Sequence, residues 1–245
     1  MHAKGEMKEY IEAAIEGGFK KLGFADHTPQ FFDGDFVSGI RMKPSEAEGY
    51  VKSIRRLAEE YKNDIELFVG FEAEYFPSIF NRLRDFCRNY GVDYLILGQH
   101  CLTNEPSTDR WVATPSESSE QLVRYVDEVL EGLETGSFSY LCHPDVYRYS
   151  GIDNEFYLSE MNRLCRGAQT LNIPLEINVH GLRMGWHYPS DRFYSIASKV
   201  GNSFILGVDA HDPAELTDLE GHKRAEIFAK KHGITVLDDI KLRKI

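Results

Sequence analysis

The chain has 245 residues, 42% hydrophobic and 12% aromatic, with 28 Lys and Arg against 39 Asp and Glu for a net charge of −11. That is enough apolar material for one sizeable core, and it excludes a disordered polymer or a disulfide-stapled miniprotein. The acidic balance argues against a nucleic-acid backbone and against an anionic membrane surface as partner.

Apolar periodicity predicts a first helix over 6–17, with Tyr10, Ile11, Ala14 and Ile15 on one face and Gly17-Gly18 as its stop. A short apolar run over 22–25 follows, then a Pro-opened helix over 44–61 and a run over 65–71. The series continues with a helix over 77–90 and a strand over 94–97, then a helix over 118–133 opening S-S-E-Q, a cap pattern, and a strand over 138–142. A helix over 154–171, a strand over 174–179, a helix over 189–200 and a strand over 204–208 come next. A long helix over 213–232 and a last strand over 234–237 close the pattern. Strands alternating with helices imply βαβ units on a parallel sheet, and six or seven repeats favour closure into a barrel. Without a linker or low-complexity break, residues 1–245 read as one domain.

No apolar run is long enough to span a bilayer, and the N-terminal MHAKGEMKEY lacks the apolar core of a secretory signal. Four scattered cysteines without C-x-x-C spacing read as reduced thiols in a cytoplasm.

In a parallel α/β fold, ligands gather at the carboxyl ends of the strands. The strand exits carry Asp26-His27, Glu72 and Glu74, His100, His143 with Asp145, Glu176, Asn178 and His180, then Asp209 and His211. Five of the nine histidines fall there. Imidazole mixed with carboxylate is a ligand set for zinc, manganese or iron. Glu72 ends the apolar run LFVGF, where a lone carboxylate is expensive, and it is the expected ligand bridging two ions. Glu74 is expected at the rim or behind a ligand, and His180 either in the site or in a solvent-facing loop. Arg183 and Arg41 are candidates for bidentate phosphate contacts, the alternative being plain surface arginines. Cys101 and Cys142 read as buried small side chains. Neither a P-loop nor G-x-G-x-x-G nor G-x-S-x-G is present, so nucleotide binding and serine acyl transfer lose support.

The ordered series F-A-D-H-T-P, G-F-E-A-E, L-G-Q-H-C-L, L-C-H-P-D, E-I-N-x-x-G-L-R and G-V-D-A-H-D-P resembles the polymerase-and-histidinol-phosphatase (PHP) superfamily, and within it the monofunctional histidinol-phosphatases. The resemblance implies an α/β fold, a distorted TIM-like barrel of seven βα units holding two or three divalent ions. By motif it assigns Glu72, His100 and His143 to one ion and His2, His27 and His211 to another, with Asp209 and Glu72 shared with the remaining ion. Catalysis would run through the metal cluster at Glu72, Asp209 and His211, and Arg183, with Arg41 as the weaker candidate, would contact the phosphate. The family opens on a strand ending in H-x-H ahead of a G-H-A-x-G segment that M-H-A-K-G matches here, so the first strand is expected to be absent from this chain. The implied activity is hydrolysis of L-histidinol phosphate in histidine biosynthesis, with no nucleic-acid or membrane partner and with self-association left open. The alternatives are a PHP phosphoesterase of another specificity and an inactive metal-binding homologue.

Overall fold

Most of the apolar runs form strands buried on both faces, as a sheet covered by helices demands, while the first, at the sheet edge, stays partly exposed. In the computed structural model, which describes residues 3–32, 34–105 and 111–245, these runs become β1 (Lys21–His27), β2 (Glu66–Ala73), β3 (Tyr94–Leu97), β4 (Phe138–Leu141), β5 (Leu175–Asn178) and β6 (Phe204–Gly207). All pair in parallel in the order β1-β2-β3-β4-β5-β6. The sheet is curled but open, with β1 and β6 at its edges and a cavity of about 1460 Å³ between them. That cavity reaches Glu72, His143, Glu176 and Asp209, so the strand exits share one solvent-connected space.

The helices are α1 (Met7–Glu16), α2 (Ala47–Glu60), α3 (Phe80–Asn89), α4 (Ser119–Glu134), α5 (Asn154–Thr170), α6 (Val179–Met184), α7 (Asp191–Val200) and α8 (Leu219–Lys231). In α2 the buried residues are Ala47, Tyr50, Val51, Ile54 and Leu57, the i, i+3, i+4 stripe of a helix lying on a sheet. Tyr50 stacks on Phe71 of β2 at 5.0 Å. Ser118 accepts from Gln121 N at 3.1 Å, as the S-S-E-Q signal predicts for the start of α4; such a cap is worth about 1 kcal/mol.

Three boundaries differ from the periodicity. β1 runs on to His27, so Asp26 and His27 lie in the strand itself. The stretch over 213–232 divides into a 3-10 turn, Pro213–Thr217, and α8, because Asp218 caps the second piece by accepting from Gly221 N. The strand expected over 234–237 is a single bridge from Val236 to Phe204, since Lys21 of β1 holds Asp239 and draws the tail across the open side of the sheet. A short helix, α6, follows β5 where a loop is expected, because the Asn178 side chain caps it by accepting from Gly181 N at 2.6 Å.

One acid on the outer layer carries a testable cost. Glu128 of α4 accepts from Arg124 Nε at 2.7 Å and from Gln99 Nε2 at 3.3 Å, yet burial pushes its carboxyl up to about 7. The folded chain therefore holds this proton more tightly than the unfolded chain, and stability falls as pH rises from about 4.5 to about 7. Glu128→Gln is expected to raise the melting temperature by about 2–4 °C at pH 8, which corresponds to about 1 kcal/mol once solvent screening is allowed for, and to leave it unchanged at pH 5. Thermal melts at the two pH values check this; an equal shift at both would assign the effect to packing.

Candidate metal centre

Strand exits bring the predicted ligands together in two lobes. The first comes from β1 to β4. Glu72 lies at its centre, with Oε1 2.9 Å from His143 Nε2 and 3.5 Å from His100 Nε2, and Oε2 3.6 Å from His27 Nδ1. The imidazoles of His27 and His100 meet at 5.1 Å and those of His100 and His143 at 4.8 Å. Gly98 makes this possible: a Cβ there would overlap the Glu72 carboxylate. Cys142 lies beside the same carboxylate at 3.7 Å but donates its thiol to Leu97 O, in keeping with a buried small side chain.

The second lobe comes from β5 and β6. His180 stacks on His211 with ring centroids 4.5 Å apart. His211 Nδ1 lies 2.8 Å from Asp209 O and 3.6 Å from Asp209 Oδ1. Glu215, 6% exposed, accepts from His211 N at 3.2 Å, lies 3.1 Å from His180 Nδ1 and pairs with Arg183. Glu176 and Asn178 join the lobes. Glu176 Oε2 accepts from His143 N at 2.8 Å and from Asn178 Nδ2 at 3.0 Å, and that same amide nitrogen reaches Asp209 Oδ2 at 3.1 Å. Gly207 lets Glu176 approach, since a Cβ there would collide with its carboxylate.

The backbone is strained where the ligands leave their strands. His143 and Asp209 adopt φ of 28° and 52°, left-handed values that a side chain disfavours and that persist where the surroundings impose them, commonly at functional sites.

The charge pattern suits bound cations. Burial opposes ionisation of Glu72, but the facing His100 and His27 and the hydrogen-bonded His143 outweigh it and hold the carboxyl well below its usual range. Burial keeps His100 well below the ordinary imidazole value, leaving it neutral with a lone pair to offer. Burial would lower His143 as well, but the hydrogen bond and charge of Glu72 raise it to about 9. Burial pushes Glu176 up to about 7, and the nearby Asp209 adds to the rise.

Donors held 2.0–2.2 Å from one ion in a tetrahedral shell lie roughly 3.3–3.6 Å apart. The Glu72 separations of 3.5 Å to His100 and 3.6 Å to His27 match that spacing. Two further donor groups, Glu72 with Cys142 and His143, and His180 with His211 and Glu215, each fall within 4.8 Å. The residues therefore fit divalent metal.

Not every expected residue joins this arrangement. His2 lies outside the described residues; its neighbour Lys4 donates to His211 O at 2.8 Å. Arg41 is turned into the fold and is no surface arginine. Its side chain is 2% exposed, pairs with Glu74 and donates from Nε to Glu105 Oε2 at 2.9 Å. Two carboxylates distant in sequence hold it inside the fold, so the expected phosphate contact is corrected to an internal ion pair. Glu74 stands behind a ligand, with Oε1 3.7 Å from His100 Nδ1. His180 is buried on α6 rather than facing solvent. Arg183 stays partly open at the mouth with 27% of its side chain exposed. Glu215 stands at no strand exit, and its only signal in the sequence is a position four residues past His211 in H-D-P-A-E.

The profile of the PHP domain matches residues 1–180. The "Probable histidinol-phosphatase" of Schizosaccharomyces pombe is 26% identical over 260 residues, spanning 97% of this chain and 84% of that protein. A crystal structure from Listeria monocytogenes superposes with a TM-score of 0.72 at 20% identity, covering 89% of this chain and 93% of the other. The histidinol phosphate phosphatase of Lactococcus lactis, solved with zinc, L-histidinol and phosphate, superposes with a TM-score of 0.69 at 18% identity over 96% of this chain and 90% of that one. At these identities the superpositions establish a shared fold.

Proposed function

The chain belongs to the PHP domain family, and from that premise we propose that residues 1–245 form one metal-dependent phosphomonoesterase converting L-histidinol phosphate and water to L-histidinol and phosphate in histidine biosynthesis. The observation that carries the reading is the ring of His27, His100 and His143 around Glu72, adjoining Asp209 and His211 across Glu176 and Asn178. The related proteins named above supply the substrate, because L-histidinol and phosphate accompany zinc in one of them.

Divalent zinc, manganese or iron, two or three per chain, would supply Lewis acidity toward the phosphoryl oxygens and lower the pKa of water. Glu72, His27, His100, His143, Asp209 and His211 would hold the ions, with Glu72 as a shared ligand. His2 is proposed as a further ligand. Arg183, oriented by Glu215, presents its guanidinium fork to phosphoryl oxygens and balances their charge as the ester bond breaks. The neutral state of His100 and the low value of the Glu72 carboxyl keep both groups in ligand form at neutral pH. Local cations override the net charge of −11 for a small anionic substrate.

No helix among the described residues is long and apolar enough to cross a membrane. With four buried cysteines at scattered positions and no need for an oxidising compartment, the cytoplasm is the proposed location, and no nucleic-acid or membrane partner is proposed.

Phosphate release from L-histidinol phosphate, measured beside a panel of other small phosphate esters, tests the reading. A marked preference for histidinol phosphate is expected, with loss of activity on chelation and recovery on adding manganese or zinc. Turnover indifferent to a chelator sinks the metal reading, and equal rates across the panel sink the substrate.

A further inference from the structure

The chain has only two tryptophans, and the fold places both against candidate ligands. Trp111 sits 39% exposed with its ring 5.6 Å from that of His100 at 72°. Val112 N donates to His100 O at 2.8 Å, which ties this indole to the exit of β3. Trp186 is 45% exposed, 4.9 Å from the His180 ring at 77°, and is tied down through Trp186 N to Gly181 O at 3.0 Å. Between them the rings continue. His143 follows His100 at 4.8 Å, Tyr188 follows His143 at 5.5 Å, and Trp186 follows Tyr188 at 5.4 Å. An aromatic arc thus borders the metal centre and ends in two half-open indoles.

Large aromatic side chains left half in water at the edge of a polar site forgo much of the stabilisation that burial would bring. Neither indole is among the rings buried in the core. What they offer is a negative π face beside a site that fixes a phosphate. Cations within about 6 Å of such a face are attracted to it, most strongly by Trp. We propose that Trp111 and Trp186 bind the organic end of the phosphomonoester and set selectivity for esters whose alcohol carries a cationic or planar group, an ammonium or imidazole above all, over neutral polyol esters. The proposal rests on the phosphatase reading for its anchored phosphate. It assigns the choice of alcohol to residues that touch no metal.

The test uses the full chain loaded with manganese, in Trp111→Leu, Trp186→Leu, Trp111→Phe and Trp186→Phe variants. The readout is kcat/KM on L-histidinol phosphate divided by kcat/KM on glycerol 3-phosphate. Each Trp→Leu change is expected to lower that ratio about tenfold, chiefly through a raised KM for histidinol phosphate, and each Trp→Phe to recover much of it. An unchanged ratio, or a fall in kcat alone that is equal for both esters, overturns the proposal while the phosphatase reading stands.

If wild type turns over no histidinol phosphate, that reading fails, and the indoles are judged by fluorescence instead. Both tryptophans lie at the site, so their emission reports it without interference from elsewhere. Titration with L-histidinol in the presence of inorganic phosphate is expected to change the emission saturably, with the response reduced in each Leu variant. A flat titration overturns the aromatic rim as well.

Discussion

Glu72→Gln is expected to lower hydrolysis of L-histidinol phosphate by about a thousandfold, the scale of losing a preorganised charge from a reacting centre. The substitution keeps the shape of the side chain and an acceptor for His143, so the fold should persist. What it removes is the negative charge that faces three imidazoles at 2.9, 3.5 and 3.6 Å. Without that charge the repulsion between two neighbouring divalent ions has much less to offset it. Metal content per chain should therefore fall along with rate, while the melting temperature of the metal-free protein stays near wild type. Metal analysis after exhaustive dialysis, paired with steady-state kinetics, checks both. Full metal loading with activity within tenfold of wild type would show that Glu72 is no ligand.

Much of this centre was legible because a parallel sheet sends every strand the same way. A residue at the end of an apolar run must then arrive at one rim, and His27, Glu72, His100, His143, Asp209 and His211 do so. Each such position is defined by local periodicity, which a single sequence displays. Arg41 lacks that support, since it stands in the long loop between β1 and α2, and its direction depends on Glu74 and Glu105, 33 and 64 residues away. A charge in such a loop reads as exposed until its partners are placed. Glu215 was hidden for the same reason, because its partners His180 and Arg183 come from another strand exit. The short helix α6 had a local signal in Asn178 and Gly181, but six residues are too few for periodicity to register. The TIM-like α/β pattern is legible in the sequence as well, and the described residues form it as six parallel strands in an open curl; only the run over 234–237 falls short of a strand, making the bridge from Val236 to Phe204.

The same buried ion pair that redirected Arg41 yields the second large effect. Glu74 and Arg41 expose 1% and 2% of their side chains, so removing one leaves the other charge in a poorly solvated place. Glu74→Ala is expected to cost about 3 kcal/mol, because losing one partner of a buried pair is worth 3–5 kcal/mol and Glu105 keeps part of the compensation for Arg41. The melting temperature should fall by about 6–12 °C. A separate loss should appear at the metal. Glu74 Oε1 lies 3.7 Å from His100 Nδ1, beyond hydrogen-bond distance but close enough for its charge to act on that imidazole, and loss of a carboxylate behind a ligand typically weakens metal affinity tenfold to a hundredfold. The two roles separate in the double variant Arg41→Met/Glu74→Ala. Replacing both members of a buried pair with apolar side chains is near neutral for stability, so the melting temperature should largely return. Metal affinity should not return, since His100 still lacks its carboxylate. Melts and metal titrations on the single and double variants decide the matter: recovery of both quantities together would mean that Glu74 serves only Arg41 and that the orientation of His100 comes from elsewhere.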